Sequence, residues 1–209
     1  MKEGLFITLE GGEGVGKTTN LSFIKDILET KGIAVVTTRE PGGTQFSEKI
    51  RQLLLENREE TVSETAELLM MFAARAQHIQ HVIQPALTRG IWVLCDRFTD
   101  ATYAYQGGGR GMDMDMIKWL ENTVQGRLRP DLTLLLDAPA EVGMDRASKR
   151  SRPDRFESEK QDFFERVRAT YLLRAKQNPQ KIKVINANRS LEEIQGEINT
   201  FIQPLFNIS

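Results

Sequence analysis

Short apolar runs alternate with longer amphipathic stretches along the whole chain. Apolar runs bounded by turn residues predict buried strands, whereas apolar residues repeated every three or four positions predict helices. The predicted strands are residues 5–10, 34–38, 91–95, 132–136 and 183–185. Strands that alternate with helices are typical of a parallel sheet covered on both faces. The pattern therefore predicts an α/β fold with a five-stranded parallel sheet flanked by helices.

The helical periodicity covers seven segments, which are residues 18–31, 46–56, 63–88, 114–125, 140–149, 162–177 and 191–206. We expect the helix over 63–88 to kink near its end, because Pro85 lacks a backbone N–H. The chain has no internal repeat or low-complexity tract, so residues 1–209 are predicted to form one domain. One segment differs in charge, because residues 146–155 contain five Arg and Lys side chains around Pro153. We interpret it as a short insertion rather than a second domain.

Composition excludes several classes of protein. The 209 residues are 40% hydrophobic and 27% charged, as in ordinary globular proteins. A net charge of -1 provides no overall attraction to nucleic acid or to an anionic membrane, so neither is expected as a partner. The single cysteine, Cys95, excludes an internal disulfide, and no apolar run approaches the ~20 residues of a membrane span. These features predict a cytoplasmic protein.

The segment GGEGVGKT, from Gly11 to Thr18, carries the clearest chemical signal. It fits the phosphate-loop pattern G-x-x-x-x-G-K-[ST] and lies between a predicted strand and a predicted helix, as that motif requires. Lys17 would place its charge on the β- and γ-phosphates, and the Thr18 hydroxyl would bind Mg²⁺. The predicted ATP-binding residues are Gly11, Gly12, Glu13, Gly14, Val15, Gly16, Lys17, Thr18 and Thr19.

Two aspartates follow predicted strands, at the edge where open α/β sheets bind ligands. Asp96 follows IWVLC and Asp137 follows LTLLL. Either carboxylate could bind a metal or cap the next turn. We interpret Asp96 as a Mg²⁺ ligand, acting through water, and Asp137 as a capping residue.

The phosphate loop alone leaves several classes open. The chain lacks the N-K-x-D guanine-binding motif of a GTPase switch. Its third strand ends in Asp96-Arg97-Phe98, and an acid followed by an arginine suits a site that holds a second phosphate group. A deoxynucleoside kinase remains the nearest enzymatic alternative, although its neutral acceptor would need a carboxylate base. A nucleotide-dependent switch is the alternative from another class.

Further motifs resemble those of one enzyme family. They are REPGGT at 39–44, FAARAQH at 72–78, DRFTDATYAYQGGGRG at 96–111, RPDLTLLLD at 129–137 and DRFE at 154–157. Together, in this order, they make the chain resemble bacterial thymidylate kinases from end to end. The resemblance implies the fold of P-loop NTPases with a short basic lid at about 146–158. It also implies transfer of the γ-phosphoryl group of ATP to thymidine monophosphate with Mg²⁺, by a homodimer.

The resemblance also implies roles for individual residues. Arg39, Arg51 and Arg97 would clamp the acceptor phosphate, with Arg97 also catalytic beside Lys17. Arg75 would hydrogen-bond the thymine edge, and Glu13 and Glu40 would lie near the sugar 3′-hydroxyl. The residues expected to line the deoxyribose and base are Thr102, Tyr105 and Gln106.

Two implied positions leave alternatives. The aromatic ring that stacks on thymine usually lies four residues before the arginine, where this chain has Met71. We assign the role to Phe72, three residues before Arg75, with Met71 as the alternative. The phosphate loop has Gly14 where some relatives carry an arginine, so the lid is expected to supply the catalytic arginine. Arg150 aligns best by its distance from DRFE, Arg146 and Arg152 are alternatives, and Arg155 would instead anchor the lid.

Overall fold

The computed structural model describes residues 4–57, 59–149, 154–157 and 159–207. Their strands form one parallel sheet in the order β2-β3-β1-β4-β5. The strands are β1 (Phe6–Glu10), β2 (Val35–Arg39), β3 (Trp92–Asp96), β4 (Leu132–Asp137) and β5 (Ile182–Asn186). The predicted five-stranded parallel sheet is therefore confirmed.

Helices cover both faces of this sheet. They are α1 (Lys17–Thr30), α2 (Gln45–Leu55), α3 (Glu64–His78), α4 (Gln84–Thr88), α5 (Thr99–Thr102), α6 (Met114–Gln125), α7 (Ala140–Ser148), α8 (Gln161–Gln177) and α9 (Leu191–Ile202). Side-chain caps fix several starts, because an N-cap oxygen satisfies an N–H group that has no partner within the helix. Thr44 accepts from Ser47 at α2, and Ser63 accepts from Ala66 at α3.

The helix predicted over 63–88 is interrupted rather than simply kinked. A π-helical turn, Ile79–Ile83, joins α3 to α4, and Pro85 follows in the first turn of α4. Proline cannot donate the backbone hydrogen bond that would keep the regular repeat, and a wider turn absorbs the mismatch.

One helical segment was absent from the sequence-based prediction. Helix α5 continues as a π-helical stretch, Tyr103–Gly109, which includes three consecutive glycines. Glycine runs usually indicate loops. Here Gly108 packs so closely on α8 that a Cβ atom would collide with Thr170. Tertiary packing, which the local pattern does not contain, therefore stabilises this helix.

The sheet carries the core and also defines the site. Ile7, Leu9, Leu94 and Leu134 are fully buried between the sheet and the α1/α9 layer. The opposite face of β1 and β3 packs on α4 in a second cluster that includes Cys95. At the carboxyl edge, however, four strands end in charged residues, which are Glu10, Arg39, Asp96 and Asp137. Ligand chemistry is expected at this edge.

Candidate active site

The phosphate loop joins β1 to α1 through a backbone that only glycine adopts easily. Gly11, Gly14 and Gly16 have φ angles of 138°, 66° and 91°. The loop also packs directly on α7, since a Cβ atom at Gly14 would collide with the carbonyl of Gly143. No side chain caps the N-terminus of α1. Its first N–H groups thus remain available to an anion.

Lys17 lies at the start of α1, with 8% of its surface exposed. Its Nζ atom donates to the carbonyl oxygens of Gly12 at 2.7 Å and Gly11 at 3.3 Å. Burial lowers the pKa of Lys17, and the nearby Arg97 guanidinium lowers it further. Thr18 and Thr19 follow in the same turn and are exposed. The ammonium group can exchange the loop carbonyls for phosphate oxygens.

Arg97 connects the phosphate loop to the end of β3. Its Nη1 donates to the Gly11 carbonyl at 2.7 Å, and its Nη2 donates to Glu13 Oε1 at 2.5 Å. Its backbone has a φ of 65°, in the left-handed region that costs an ordinary residue ~1 kcal/mol or more. Such strain persists where surrounding contacts hold the residue in place, and it is common at active sites.

Beside the phosphate loop lies a cavity of about 250 Å³, called here the acceptor cleft. All the predicted substrate-binding residues except Arg39 and Phe72 line it, which are Glu13, Glu40, Arg51, Arg75, Arg97, Thr102, Tyr105 and Gln106. Met71 and three residues of the DRFE segment also line it. The motifs that are separate in sequence therefore share one cavity.

Two arginines of the predicted phosphate clamp, Arg51 and Arg97, line the acceptor cleft. Arg51 donates to the Pro41 carbonyl at 3.1 Å, and the charges of Arg39 and Arg97 both act on it. Burial lowers the pKa of Arg51, and the charges of Arg39 and Arg97 lower it further. Guanidinium groups that act on one another in this way repel, and a bound phosphate group would relieve the repulsion. Arg39 is half exposed and pairs with Glu48 at 2.7 Å.

Arg75 and Glu40, which also line the cleft, belong to a buried hydrogen-bond network. Arg75, 3% exposed, donates to Glu40 Oε2 at 2.7 Å and to Thr102 Oγ1 at 2.9 Å. His78 Nδ1 lies 3.0 Å from the second oxygen of Glu40. Arg75 Nη1 is buried without an acceptor among the described residues. A buried N–H without a partner costs ~1–3 kcal/mol, so this atom is suited to a ligand acceptor.

Asp96 tests whether the site suits Mg²⁺. Its Oδ1 atom is buried and has no hydrogen-bond donor among the described residues. A carboxylate oxygen in this state fits a cation or a water bound to one. The described residues contain no group of three or more Asp, Glu, His or Cys side chains placed to hold a metal ion together. Mg²⁺ would thus take most of its ligands from phosphates and water, as is usual in kinases.

Comparison with known proteins agrees with this geometry. Residues 9–198 match the sequence profile of the family described as "Thymidylate kinase". The chain is 59% identical to the thymidylate kinase of Hahella chejuensis, over 95% of each chain. It is 56% identical to that of Ectopseudomonas mendocina, over 97% of this chain and 96% of the relative.

A solved structure gives the same result. The thymidylate kinase of Ehrlichia chaffeensis superposes with a TM-score of 0.78 at 33% identity, covering 96% of this chain and 99% of that one. The chain belongs to the thymidylate kinase family. Membership confirms the resemblance inferred from the motifs, and the structural likeness confirms the P-loop NTPase fold.

Within this thymidylate kinase fold, the preferred base-stacking residue is displaced from the cleft. Phe72 is 2% exposed and packs with Leu68, Tyr103 and Ile117 in a core cluster. Met71 lines the acceptor cleft instead. Residues 71 and 72 are about 100° apart around α3, and here the core takes Phe72 while Met71 stays at the cavity. This packing argues that Met71, the alternative, and not Phe72 forms the apolar surface beside the base.

The basic segment has partly structural contacts. Arg155 donates to the Leu54 carbonyl at 2.8 Å and to Glu67 at 2.6 Å, which agrees with an anchoring role. Arg146 donates to the Ala187 carbonyl at 3.1 Å, on the loop after β5. Arg150, the predicted catalytic arginine, lies outside the described residues.

Asp137 does not cap the following turn as predicted. Its two carboxylate oxygens accept from Arg168 on α8, at 2.7 and 2.8 Å. This bidentate pair raises the pKa of Arg168. The pairing was hidden from the sequence because the two residues lie far apart in the chain.

Sequence reasoning also missed Glu10, the last residue of β1. It is fully buried, accepts from the Phe98 N–H at 2.7 Å and accepts from the Tyr171 hydroxyl at 2.9 Å. Burial, followed by the nearby Asp100 charge, raises the pKa of Glu10 to about 7. The one signal available was its place directly before the phosphate loop. Arg97 Nη1 donates to the Tyr171 hydroxyl at 3.3 Å, so Glu10 supports Arg97 through Tyr171.

Proposed function

We propose that this protein transfers the γ-phosphoryl group of ATP to the 5′-phosphate of thymidine monophosphate, giving ADP and thymidine diphosphate. One observation carries the assignment of the site: Arg97 binds the phosphate loop through Gly11 and also lines the acceptor cleft. A donor site and an acceptor site that share one guanidinium group bring two phosphate groups together. Membership of the thymidylate kinase family supports the identity of the acceptor.

The donor side consists of the phosphate loop and the first turn of α1. Backbone N–H groups of residues 11–19 would hold the β- and γ-phosphates, aided by the uncapped helix N-terminus. Lys17 would contribute a point charge to the same oxygens. Thr18 and Asp96 would hold Mg²⁺, directly or through water. When bound, Mg²⁺ neutralises charge on the phosphate oxygens and orients them.

The acceptor side positions thymidine monophosphate. Arg39, Arg51 and Arg97 would bind its phosphate, and Arg75 would reach the base through its free Nη1. Glu40 holds Arg75 and would lie, with Glu13, near the 3′-hydroxyl. Thr102, Tyr105 and Gln106 would line the sugar and base. We place Met71 beside the base in preference to Phe72.

The reaction itself needs little acid–base chemistry. An oxygen of the acceptor phosphate forms a bond to the γ-phosphorus while the bond from that phosphorus to the β–γ bridging oxygen breaks, and ADP leaves. An acceptor phosphate is already ionised near neutral pH, so no general base is required. Positioning and charge stabilisation by Lys17, Arg97 and Arg150 would supply most of the rate enhancement.

A homodimer is part of the proposal. Helices α2, α3 and α6 lie side by side and expose large apolar side chains, which are Phe46, Leu53, Leu69, Met114, Met116 and Trp119. Exposed apolar groups on one layer indicate a protein interface. A two-fold contact would pair this apolar layer with the same layer of a second copy.

The chain would work as one domain over residues 1–209, with residues 146–158 as its lid, in the cytoplasm where its nucleotide substrates occur. The described residues include no helix with both the length and the apolar content needed to cross a membrane.

The test is an assay of ADP release with ATP and Mg²⁺. Thymidine monophosphate should stimulate release far more than thymidine or the other common monophosphates. Equal stimulation by thymidine would contradict the proposal and support a nucleoside kinase. Stimulation by no nucleotide would support a switch.

A further inference from the structure

Glu67 on α3 is a buried charge that the proposed phosphoryl transfer does not use. It is 1% exposed. It accepts hydrogen bonds from Gln106 Nε2 at 2.9 Å and Arg155 Nη2 at 2.6 Å, and Arg110 lies at 3.4 Å. A carboxylate paired with two guanidinium groups carries no proton to donate. Glu67 is therefore an acceptor only.

This property fixes the orientation of the Gln106 amide. Because Glu67 can only accept, the NH₂ group of Gln106 must face it. The amide carbonyl, Oε1, must then face away from Glu67. Gln106 lines the acceptor cleft, and no described residue donates to Oε1. The cleft is thus offered a fixed hydrogen-bond acceptor.

Arg75 offers the complementary group. Arg75 lines the same cleft, and its Nη1 is a buried donor without a partner among the described residues. One donor and one acceptor match the edge of thymine, which has a carbonyl at C4 and an N–H at N3. Cytosine presents the reverse pattern, an amino group at C4 and an acceptor at N3. Bound in the same way, cytosine would place its C4 amino group against the donor Arg75 and its N3 against the acceptor Gln106 Oε1.

We propose that Glu67 is a specificity-determining positioning residue, which locks the Gln106 amide so that the cleft accepts thymine and rejects cytosine. The proposal rests on the proposed function. A glutamine free to rotate could present either its carbonyl or its amino group, and would accommodate both bases. A fixed polar group rejects a mismatched substrate strongly, because the buried partners are left unpaired.

The test is the ratio of kcat/KM for thymidine monophosphate to that for deoxycytidine monophosphate. In Glu67→Gln, residue 67 can donate as well as accept, so the Gln106 amide is no longer fixed. We expect the ratio to fall at least ~10-fold. An unchanged ratio would overturn the proposal.

Arg110→Met is the matched control. It removes an ion pair of Glu67 but leaves the contact between Glu67 and Gln106 in place. Its ratio should stay within about twofold of wild type. A fall as large as that of Glu67→Gln would show that general loosening, and not amide orientation, sets the ratio, and would also overturn the proposal.

A measurement on the unaltered protein covers the case in which Glu67→Gln does not fold. Thymidine monophosphate methylated at N3 has no N–H for Gln106 Oε1. Its kcat/KM should be at least ~100-fold below that of the parent nucleotide, and near-equal values would overturn the proposal. If the wild-type protein does not phosphorylate thymidine monophosphate at all, the proposed function has failed instead.

Discussion

The Tyr105 hydroxyl donates a 2.8 Å hydrogen bond to Glu13 Oε1, and so joins the wall of the acceptor cleft to the phosphate loop. The same ring forms an edge contact with Phe156 of the DRFE segment, at 6.2 Å between centroids. Arg97 lies over its face at 4.8 Å. Tyr105 is therefore held from three sides, which makes it a rigid wall rather than an adaptable one.

This rigidity predicts sugar discrimination. A ribose 2′-hydroxyl placed against the Tyr105 ring would lose water without gaining a partner. Tyr105→Ala should therefore lower the kcat/KM ratio of thymidine monophosphate to its ribose analogue by roughly 10-fold or more. Tyr105→Phe is the control, because it keeps the ring and loses only the bond to Glu13. If Tyr105→Ala leaves the ratio unchanged, the residue contributes only packing.

Lys17 supports a prediction about turnover. Its ammonium group already lies against the loop carbonyls of Gly11 and Gly12, so it is positioned before ATP arrives. Lys17→Ala should lower kcat roughly 10²-fold or more, since a charge directed at the transferring group is lost. Lys25→Ala, on the exposed side of α1, is the matched control and should have wild-type activity. A folded Lys17→Ala enzyme with normal turnover would exclude the role.

Glu10 predicts a pH dependence of stability. Its pKa is raised to about 7 by burial and by Asp100, against opposition from Arg97 and from the hydrogen bonds of Phe98 and Tyr171. A carboxyl group with a raised folded-state pKa binds its proton more tightly when folded. Its contribution to stability is therefore complete below its unfolded pKa of about 4.5 and is lost as the pH rises to about 7.

The measurement is urea unfolding of wild type and Glu10→Gln between pH 4.5 and 8. Glutamine has the same shape but does not ionise. Relative to this variant, wild type should lose on the order of 3 kcal/mol in the free energy of unfolding across that range. Parallel pH profiles for the two proteins would show that Glu10 keeps an ordinary carboxyl pKa.

The features predicted from sequence are those with local causes. The phosphate loop and the strands depend on spacing within a few residues, and the structure places them as predicted. Glu10 shows where local reasoning ends. Its partner Tyr171 lies 161 residues away, so no short pattern contains the pair.

The choice between Met71 and Phe72 shows the same limit. Both lie on one side of the helix in the sequence pattern. Phe72 was preferred because an aromatic ring can stack on a base. The space beside Tyr103 and Ile117 takes the larger ring into the core and leaves Met71 at the cleft. Glu67 was likewise hidden, because its partners Gln106, Arg110 and Arg155 come from two distant segments of the chain.

The apolar layer on α2, α3 and α6 predicts self-association. Leu69 is 52% exposed on α3, between the other two helices. Leu69→Glu should convert a dimer to a monomer, because a two-fold contact would bury two carboxylates. Leu173→Glu is the control, since Leu173 is equally exposed on α8, away from that layer. Sedimentation velocity would measure the oligomeric state of the three proteins. A monomeric wild-type protein would contradict the proposed homodimer.

The final prediction concerns Arg150, for which the described parts of the basic segment narrow the choice. Arg146 reaches the loop after β5, and Arg155 is bound to α2 and α3 through Leu54 and Glu67. Charge that builds on the transferring phosphoryl group still has to be met, and an arginine in that place can contribute ~10³-fold. Arg150→Ala should therefore depress kcat by about that factor, while binding of thymidine monophosphate, measured by calorimetry, changes little because the contact belongs to the transition state. Lys149→Ala is the matched control, since Lys149 is an exposed neighbour that pairs with Asp145 at 2.6 Å. A kcat within about threefold of wild type, a loss of only ~0.7 kcal/mol, would remove Arg150 from the mechanism and direct the same experiment to Arg152.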